Sequence, residues 1–142
     1  MTTPPQCTFC AIVIGEVPAH RVLDDDGFVA FLDVRPLFPG HVLVVPRSHV
    51  ETLTDLPEGD AGPLFARVRA LAGAMEAALG AQGSFVAVNN RVSQSVPHLH
   101  VHVVPRTKGD GLRGFFWPRQ RYGSDEEAAS VAERLRSALA AS

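Results

Sequence analysis

The chain has 142 residues and a formal net charge of −2, and its residues are 46% hydrophobic and 20% charged. This size and composition fit one globular domain over residues 1–142. The slight negative charge argues against binding to nucleic acid or to an anionic membrane. No apolar run approaches the ~20 residues that span a bilayer. The first residues do not resemble a secretory signal, so we expect a cytoplasmic protein.

The hydrophobic pattern predicts short strands around one long helix. In chain order we expect a short helix or turn over 7–14, strands over 21–24, 28–32 and 41–45, a long helix that follows residues 55–58 and stops at Gly80, strands over 84–89 and 98–104, an ordered loop over 107–123 and a C-terminal helix. Residues 55–58 and 124–127 have the spacing of helix capping boxes. The early strands are joined too tightly for parallel crossovers, so we predict an α+β fold with an antiparallel sheet of about five strands.

Cys7 and Cys10 are the two cysteines of the chain, in the spacing C-x-x-C. They could be a redox pair, half of a metal site, or two small buried residues. A redox pair of the thioredoxin type should follow a strand in a βαβ unit, and no strand precedes this one. A metal site needs two further ligands, which His49 and the histidine-rich segment could supply.

His98, His100 and His102 alternate with the apolar residues Leu99, Val101 and Val103. In a strand this pattern puts three imidazoles on one face and an apolar anchor on the other. The histidines could be surface residues, or all three could hold a catalytic metal. Alternate strand positions lie about 6.6–6.8 Å apart along the chain, so two of them reach one ion more easily than three.

The third interpretation is nucleophilic catalysis. A neutral imidazole attacks phosphorus well and splits one displacement into two through a covalent intermediate. His100 has a histidine on either side, which makes it the natural candidate for the nucleophile.

Residues 98–104 match the alternating signature of the histidine triad family of nucleotide hydrolases and transferases. Further segments resemble that family in the same order, namely Cys7–Cys10, Gly15–Ala19, Phe31–Asp33, Pro39–Pro46, Gln94–Val96 and Val104–Gly111. The resemblance covers a core over 7–106 and leaves a C-terminal loop and helix over 107–142. It implies the family's fold and a homodimer.

The resemblance also implies roles for individual residues. His100 would attack the α-phosphorus of a nucleotide, His102 and His41 would support it, and His98 would complete the triad. The implied nucleotide-binding residues are Phe9 and Phe31 for the base, Asp33 for the ribose, and Asn89, Gln94 and Ser95 near the phosphates.

Several bacterial members of the family carry zinc on residues that correspond to Cys7, Cys10, His49 and His98. The resemblance therefore implies one structural zinc ion and no organic cofactor, since four protein ligands close a zinc site. The sequence departs from the family at residues 89–94, which lack the usual glycine-rich stretch. This departure affects the role that the resemblance implies for Asn89 and the implied shape of the pocket wall.

Three functions remain open from the sequence. The first is a nucleotidyl hydrolase or transferase for a purine nucleoside phosphoramidate or a dinucleoside polyphosphate. The second is a nucleotide-binding regulatory module with little turnover. The third is a metal-centred enzyme that uses the histidine cluster.

Overall fold

The computed structural model describes residues 7–112 and 119–141. Its elements are α1 (Thr8–Val13), β1 (Arg21–Asp24), β2 (Phe28–Leu32), β3 (Val42–Pro46), a short 3-10 helix (Leu53–Asp55), α2 (Glu58–Leu79), β4 (Gly83–Ala87), β5 (Val101–Arg106) and α3 (Asp125–Ala141). The five strands form one sheet in the order β1-β2-β3-β5-β4, and every neighbouring pair is antiparallel. The predicted α+β class and antiparallel sheet are confirmed.

The two faces of the sheet bury two different clusters. Leu99, Val101 and Val103 have no exposed surface and pack in one cluster with the inner side of α2. The other face is covered by α1, whose residues pack on Phe31 and its neighbours in β2 and β3. Since side chains alternate along a strand, the histidines of the 98–102 segment face α1 while their apolar neighbours anchor the sheet on α2.

The segment that carries the histidines is less regular than predicted. The strand runs from Val101 to Arg106, so it begins and ends later than the predicted bounds 98–104. Before Val101 the chain departs from the sheet ladder, because the backbone N–H of Leu99 donates to the carbonyl of Val50 at 2.7 Å. Leu99 nevertheless packs in the same cluster as Val101 and Val103, and the rings of His98 and His100 contact Phe9 on the other face.

The predicted capping box at residues 55–58 is wrong. Asp55 Oδ2 instead accepts from the backbone N and the Oγ1 of Thr52, at 3.1 and 2.8 Å, and so caps the short 3-10 helix. Helix α2 begins at Glu58, after Pro57, which lacks a side-chain acceptor. The predicted stop is correct, since Gly80 has a φ of 68°, where glycine avoids the strain of other residues.

The chain divides into two compact units, Met1–Asp110 and Gly111–Ser142. In the second unit, Ser124 Oγ accepts from Glu127 N at 3.1 Å, as in the predicted capping box. Glu127 Oε2 accepts from Gly123 N at 2.7 Å, whereas a regular box would use the N–H of Ser124. Part of the loop predicted over 107–123 lies outside the described residues. None of the helices in the described ranges is long and apolar enough to span a bilayer. A single domain over 1–142 stays a prediction.

Candidate functional site

Two cysteines and two histidines meet beside α1. Cys7 caps α1, with its Sγ accepting from the backbone N of Cys10 at 3.3 Å. His98 Nδ1 lies 3.4 Å from Cys7 Sγ and 3.5 Å from Cys10 Sγ, and His49 Nδ1 lies 3.3 Å from Cys10 Sγ. A tetrahedral zinc ion separates sulfur and nitrogen ligands by about 3.6 Å, given the usual bond lengths. The four side chains therefore have the spacing of a Cys2His2 zinc site.

The ring of His98 is oriented for metal binding. Its Nε2 lies 2.8 Å from the carbonyl of Pro46, which only accepts, so the ring proton sits on Nε2 and the lone pair of Nδ1 faces the sulfurs. Burial lowers the pKa of His98 to about 4, which keeps the ring neutral. Burial and the neighbouring Cys7 raise the pKa of Cys10 to about 12, so its thiolate needs a cation beside it. The chemistry of these donors fits zinc.

His100 presents a free electron pair on its outer nitrogen. Its Nδ1 donates to the carbonyl of His98 at 2.8 Å, which keeps the ring proton on Nδ1 and leaves the lone pair on Nε2. The ring is buried, with 3% of the residue exposed. Phe9 and His102 flank it, each with its ring centroid 5.0 Å from that of His100. An imidazole in this tautomer is a nucleophile at Nε2.

A second run of hydrogen bonds fixes His41 and His102. The backbone N–H of Leu37 donates to Nδ1 of His41 at 3.0 Å, so the proton of neutral His41 is on Nε2. That Nε2 lies 3.0 Å from Nδ1 of His102 and donates to it. Neutral His102 consequently carries its own proton on Nε2. Its outer nitrogen is a hydrogen-bond donor, in contrast to that of His100.

Burial keeps this pair neutral. Burial, together with the neighbouring His100 and His41, lowers the pKa of His102 to about 4. Burial also lowers the pKa of His41, although Asp33 opposes the shift with its Oδ2 at 3.7 Å from Nε2. While both rings are neutral, His41 keeps its proton on Nε2 and His102 accepts that hydrogen bond at Nδ1.

Asp33, His41 and His102 also bring three ligand atoms within 4.8 Å of one another, but their protons do not suit a metal. A cation on Nε2 of His41 would move the ring proton to Nδ1, where it would meet the N–H of Leu37. Within the described ranges, the clusters that could share an ion separate His98 from His102 and contain no His100. This arrangement argues against a catalytic metal held by all three triad histidines.

The loop over residues 89–95 is tied to the segment that follows His49. Gln94 accepts from Arg91 N at 2.8 Å and donates to the carbonyl of Glu51 at 2.6 Å. Asn90 Oδ1 accepts from Leu53 N at 2.7 Å. Sequence reasoning missed this capping role of Asn90, although asparagine commonly caps backbone N–H groups in such turns.

Comparison with known proteins identifies the family. The model of the HIT domain matches residues 14–109. This chain is a member of the histidine triad family. An uncharacterised HIT-like protein of Mycobacterium tuberculosis is 39% identical over 136 residues, which cover 94% of this chain and 93% of that protein. The N-terminal C-x-x-C of Cys7 and Cys10 is part of the structure described above.

Solved structures share the fold of this chain. A protein of Streptococcus mutans superposes with a TM-score of 0.89 at 33% identity, covering 96% of this chain and 87% of its own. A zinc-bound histidine triad protein of Mycobacterium smegmatis has a TM-score of 0.73 at 37% identity, covering 94% and 97%. That relative binds zinc, and this chain has a Cys2His2 cluster.

Some relatives in the histidine triad family are named as hydrolases. An adenylylsulfatase of Arabidopsis thaliana is 33% identical over 78% of this chain and 57% of its own length. An asymmetrical bis(5'-nucleosyl)-tetraphosphatase of Schizosaccharomyces pombe is 40% identical over 75% of this chain and 58% of its own length. The family thus includes enzymes that act on nucleotides.

The structure places the predicted nucleotide-binding residues in different surroundings. Phe9 and Phe31 are buried core residues, with 7% and 3% exposed and ring centroids 5.4 Å apart. Asp33 Oδ1 accepts from Arg35 N at 2.9 Å, so one of its oxygens shapes the turn. Two further residues predicted near the phosphates, Asn89 and Ser95, are exposed.

Proposed function

We propose that the protein is a nucleotidyl hydrolase or transferase that attacks the α-phosphorus of a purine nucleoside phosphoramidate or a dinucleoside polyphosphate. The observation that carries the proposal is the hydrogen bond from His100 Nδ1 to the carbonyl of His98, since it leaves the lone pair on Nε2. The relatives named as an adenylylsulfatase and as a bis(5'-nucleosyl)-tetraphosphatase support a nucleotide substrate, and the second supports a dinucleoside polyphosphate.

The reaction would proceed in two displacements. Nε2 of His100 forms a bond to the α-phosphorus, the bond to the leaving group breaks, and the leaving group takes a proton from solvent. Water or another acceptor then attacks the same phosphorus, loses its proton to solvent, and the N–P electron pair returns to Nε2. The protein enters and leaves this cycle with the same neutral His100.

His102 and His41 would stabilise the charge on the phosphoryl group. His102 would donate to the phosphoryl group from Nε2, because its Nδ1 accepts from Nε2 of His41 and its own proton is on Nε2. A hydrogen bond from a fixed, neutral donor to a developing negative charge is stronger in a dry site than in water. His41 would act through His102 by holding its tautomer.

The residues around the nucleophile would bind the nucleotide. Asp33 would accept the ribose hydroxyls, Ser95 and Gln94 would contact the phosphates, and Asn89 would lie near them. Gln94 would have to exchange its bonds to Arg91 N and Glu51 O for substrate. For Phe31 we propose a place in the wall of the base-binding slot, while contact of Phe9 with the base stays a prediction. The burial of both residues limits any contact with a base to the edges of their rings.

A structural zinc ion would bind to Cys7, Cys10, His49 and His98. The metal would supply coordination bonds that join α1 to the segment after β3 and to the histidine segment. Two thiol ligands favour a reducing compartment, which agrees with the predicted cytoplasmic location. We also propose a homodimer, as expected for the family. The absence of a nucleic-acid partner and of a membrane partner stays a prediction.

The test is a substrate panel with a matched variant. Purified protein is assayed with adenosine phosphoramidate and with diadenosine polyphosphates, and quenched samples are analysed by mass spectrometry for nucleotidyl-histidine. We expect turnover of at least one class and a covalent adduct on His100. His100→Ala should lose both, and His20→Ala, at an exposed histidine, should keep both. Nucleotide binding without turnover of either class would support the regulatory module instead.

A further inference from the structure

Phe9 contacts the ring of His100 from the side of the Cys2His2 cluster, which consists of Cys7, Cys10, His49 and His98. Its ring centroid lies 5.0 Å from that of His100, with the two ring planes at 82°. It also lies 6.0 Å from the ring of His98 and 5.4 Å from that of Phe31, again in edge-to-face geometry. With 7% of the residue exposed, Phe9 has little surface left for a ligand.

The ring of His100 needs a lateral support. Its hydrogen bond to the carbonyl of His98 holds Nδ1, but one hydrogen bond leaves the ring plane able to tilt about it. His102 limits the tilt on one side, with its ring at 63° to that of His100. Phe9 is the aromatic contact that limits it from α1. Edge-to-face aromatic contacts are directional, so they favour one ring plane over its neighbours.

We infer that Phe9 is a positioning residue, which holds the ring of His100 in the plane that points Nε2 at the α-phosphorus. The inference rests on the proposed function of His100, and it gives Phe9 a different task from contact with the base. Phe9 acts through the nucleophile and determines how often its lone pair faces the substrate.

The position of Phe9 in the sequence connects this task to the cysteines. It lies between Cys7 and Cys10 on a helix of six residues. Ligation of both thiols would fix this short helix, and the helix in turn fixes the contact of Phe9 with His100. The metal would thus affect the nucleophile through packing, with no part in the chemistry.

The test compares the same substitution at two equally buried phenylalanines. Phe9→Leu removes the ring edge from His100, and Phe28→Leu is the control, since Phe28 is 4% exposed and packs in the other core cluster with α2. The measurements are the single-turnover rate of nucleotidyl transfer to His100, the Kd of a non-hydrolysable nucleotide, and the ¹⁵N NMR signals of the His100 ring.

We expect Phe9→Leu to lower the transfer rate about tenfold, in the range that one aromatic contact can supply, and to leave the Kd within about twofold. The His100 ring should lose its single Nδ1–H form and show exchange broadening. Phe28→Leu should keep both the rate and the ring signals. Where Phe9→Leu does not fold, Phe9→Met removes the ring with less loss of volume and is judged by the same criteria.

A weaker Kd with an unchanged transfer rate would overturn the inference in favour of contact with the base. Equal losses in Phe9→Leu and Phe28→Leu would also overturn it, since they would reflect general core damage. The NMR signals separate this inference from the proposed function. If the wild type transfers no nucleotide, the proposed function fails, while an unchanged His100 ring in Phe9→Leu is what rejects the role of Phe9.

Discussion

The peptide carbonyl of His98 accepts the Nδ1 proton of His100 at 2.8 Å, while the ring of His98 turns its own Nδ1 toward the sulfurs of Cys7 and Cys10. One residue thereby contacts His100 with its backbone and the two cysteines of the Cys2His2 cluster with its side chain. A displacement of the His98 ring from the two cysteines should therefore also move the His98 carbonyl, which holds the ring of His100.

Removal of zinc from the proposed Cys2His2 site should destabilise the fold. We expect about one zinc per chain by elemental analysis, and chelation should lower the melting temperature because a ligand of the native state stabilises it. Cys10→Ser should reduce the zinc content and the melting temperature, while Ser48→Ala, beside His49 at an exposed position, should change neither. A metal-free protein with an unaltered melting temperature would contradict the structural role.

His41 should contribute to the rate through its bond to His102. His41→Ala removes the donor to Nδ1 of His102, so we expect kcat to fall about tenfold, the value of one buried hydrogen bond, with little change in KM. His41→Gln retains an amide donor and should recover part of the loss. Wild-type kcat in His41→Ala, measured beside the control His20→Ala, would show that the tautomer of His102 does not matter.

The burial of His102 predicts the pH dependence of stability. Its pKa is about 4 in the folded protein, where His41, His100 and Asp33 face it, and about 6.5 in an unfolded chain. Between these values the unfolded chain binds more protons, so the free energy of unfolding should rise from about pH 4 to about pH 6.5 and then level off. Urea titrations should give a shallower rise for His102→Gln than for the exposed control His20→Gln. Equal slopes would contradict the assignment.

The backbone of the 89–95 loop carries strain that glycine would relieve. Ser93 has a φ of 61°, in the left-handed region that side chains disfavour. Ser93→Gly should raise the free energy of unfolding by about 0.5–1 kcal/mol. Ser84→Gly, in the exposed half of β4, should lower it by about the same amount because glycine weakens strands. Both values come from chemical denaturation, and a loss of stability in Ser93→Gly would show that the side chain is needed in the loop.

The sequence predicted the α+β class and the antiparallel sheet, and the family resemblance implied the grouping of Cys7, Cys10, His49 and His98. Neither predicted the orientation of the histidine rings. The spacing of the apolar residues and the turn residues predicted the strand over 28–32 and the end of α2 at Gly80, since both depend on local conformational preferences. The start of β5 was missed because Leu99 N bonds to the distant carbonyl of Val50. The tautomers of His41 and His98 were likewise beyond prediction, as they depend on Leu37 N and the carbonyl of Pro46.

The hydrogen bonds that assign protons to three of these rings, His41, His98 and His100, end on main-chain atoms, namely Leu37 N, the carbonyl of Pro46 and the carbonyl of His98. Replacement of Leu37 by a residue other than proline, or any replacement of Pro46, would leave those backbone partners in place, so the proton pattern should tolerate such substitutions. It should not tolerate a change in chain length. Deletion of one residue between Leu37 and His41, or proline at position 37, would remove the partner of His41 and free its tautomer. Among related sequences, insertions and deletions near these residues should therefore disturb the proton pattern more than point substitutions do.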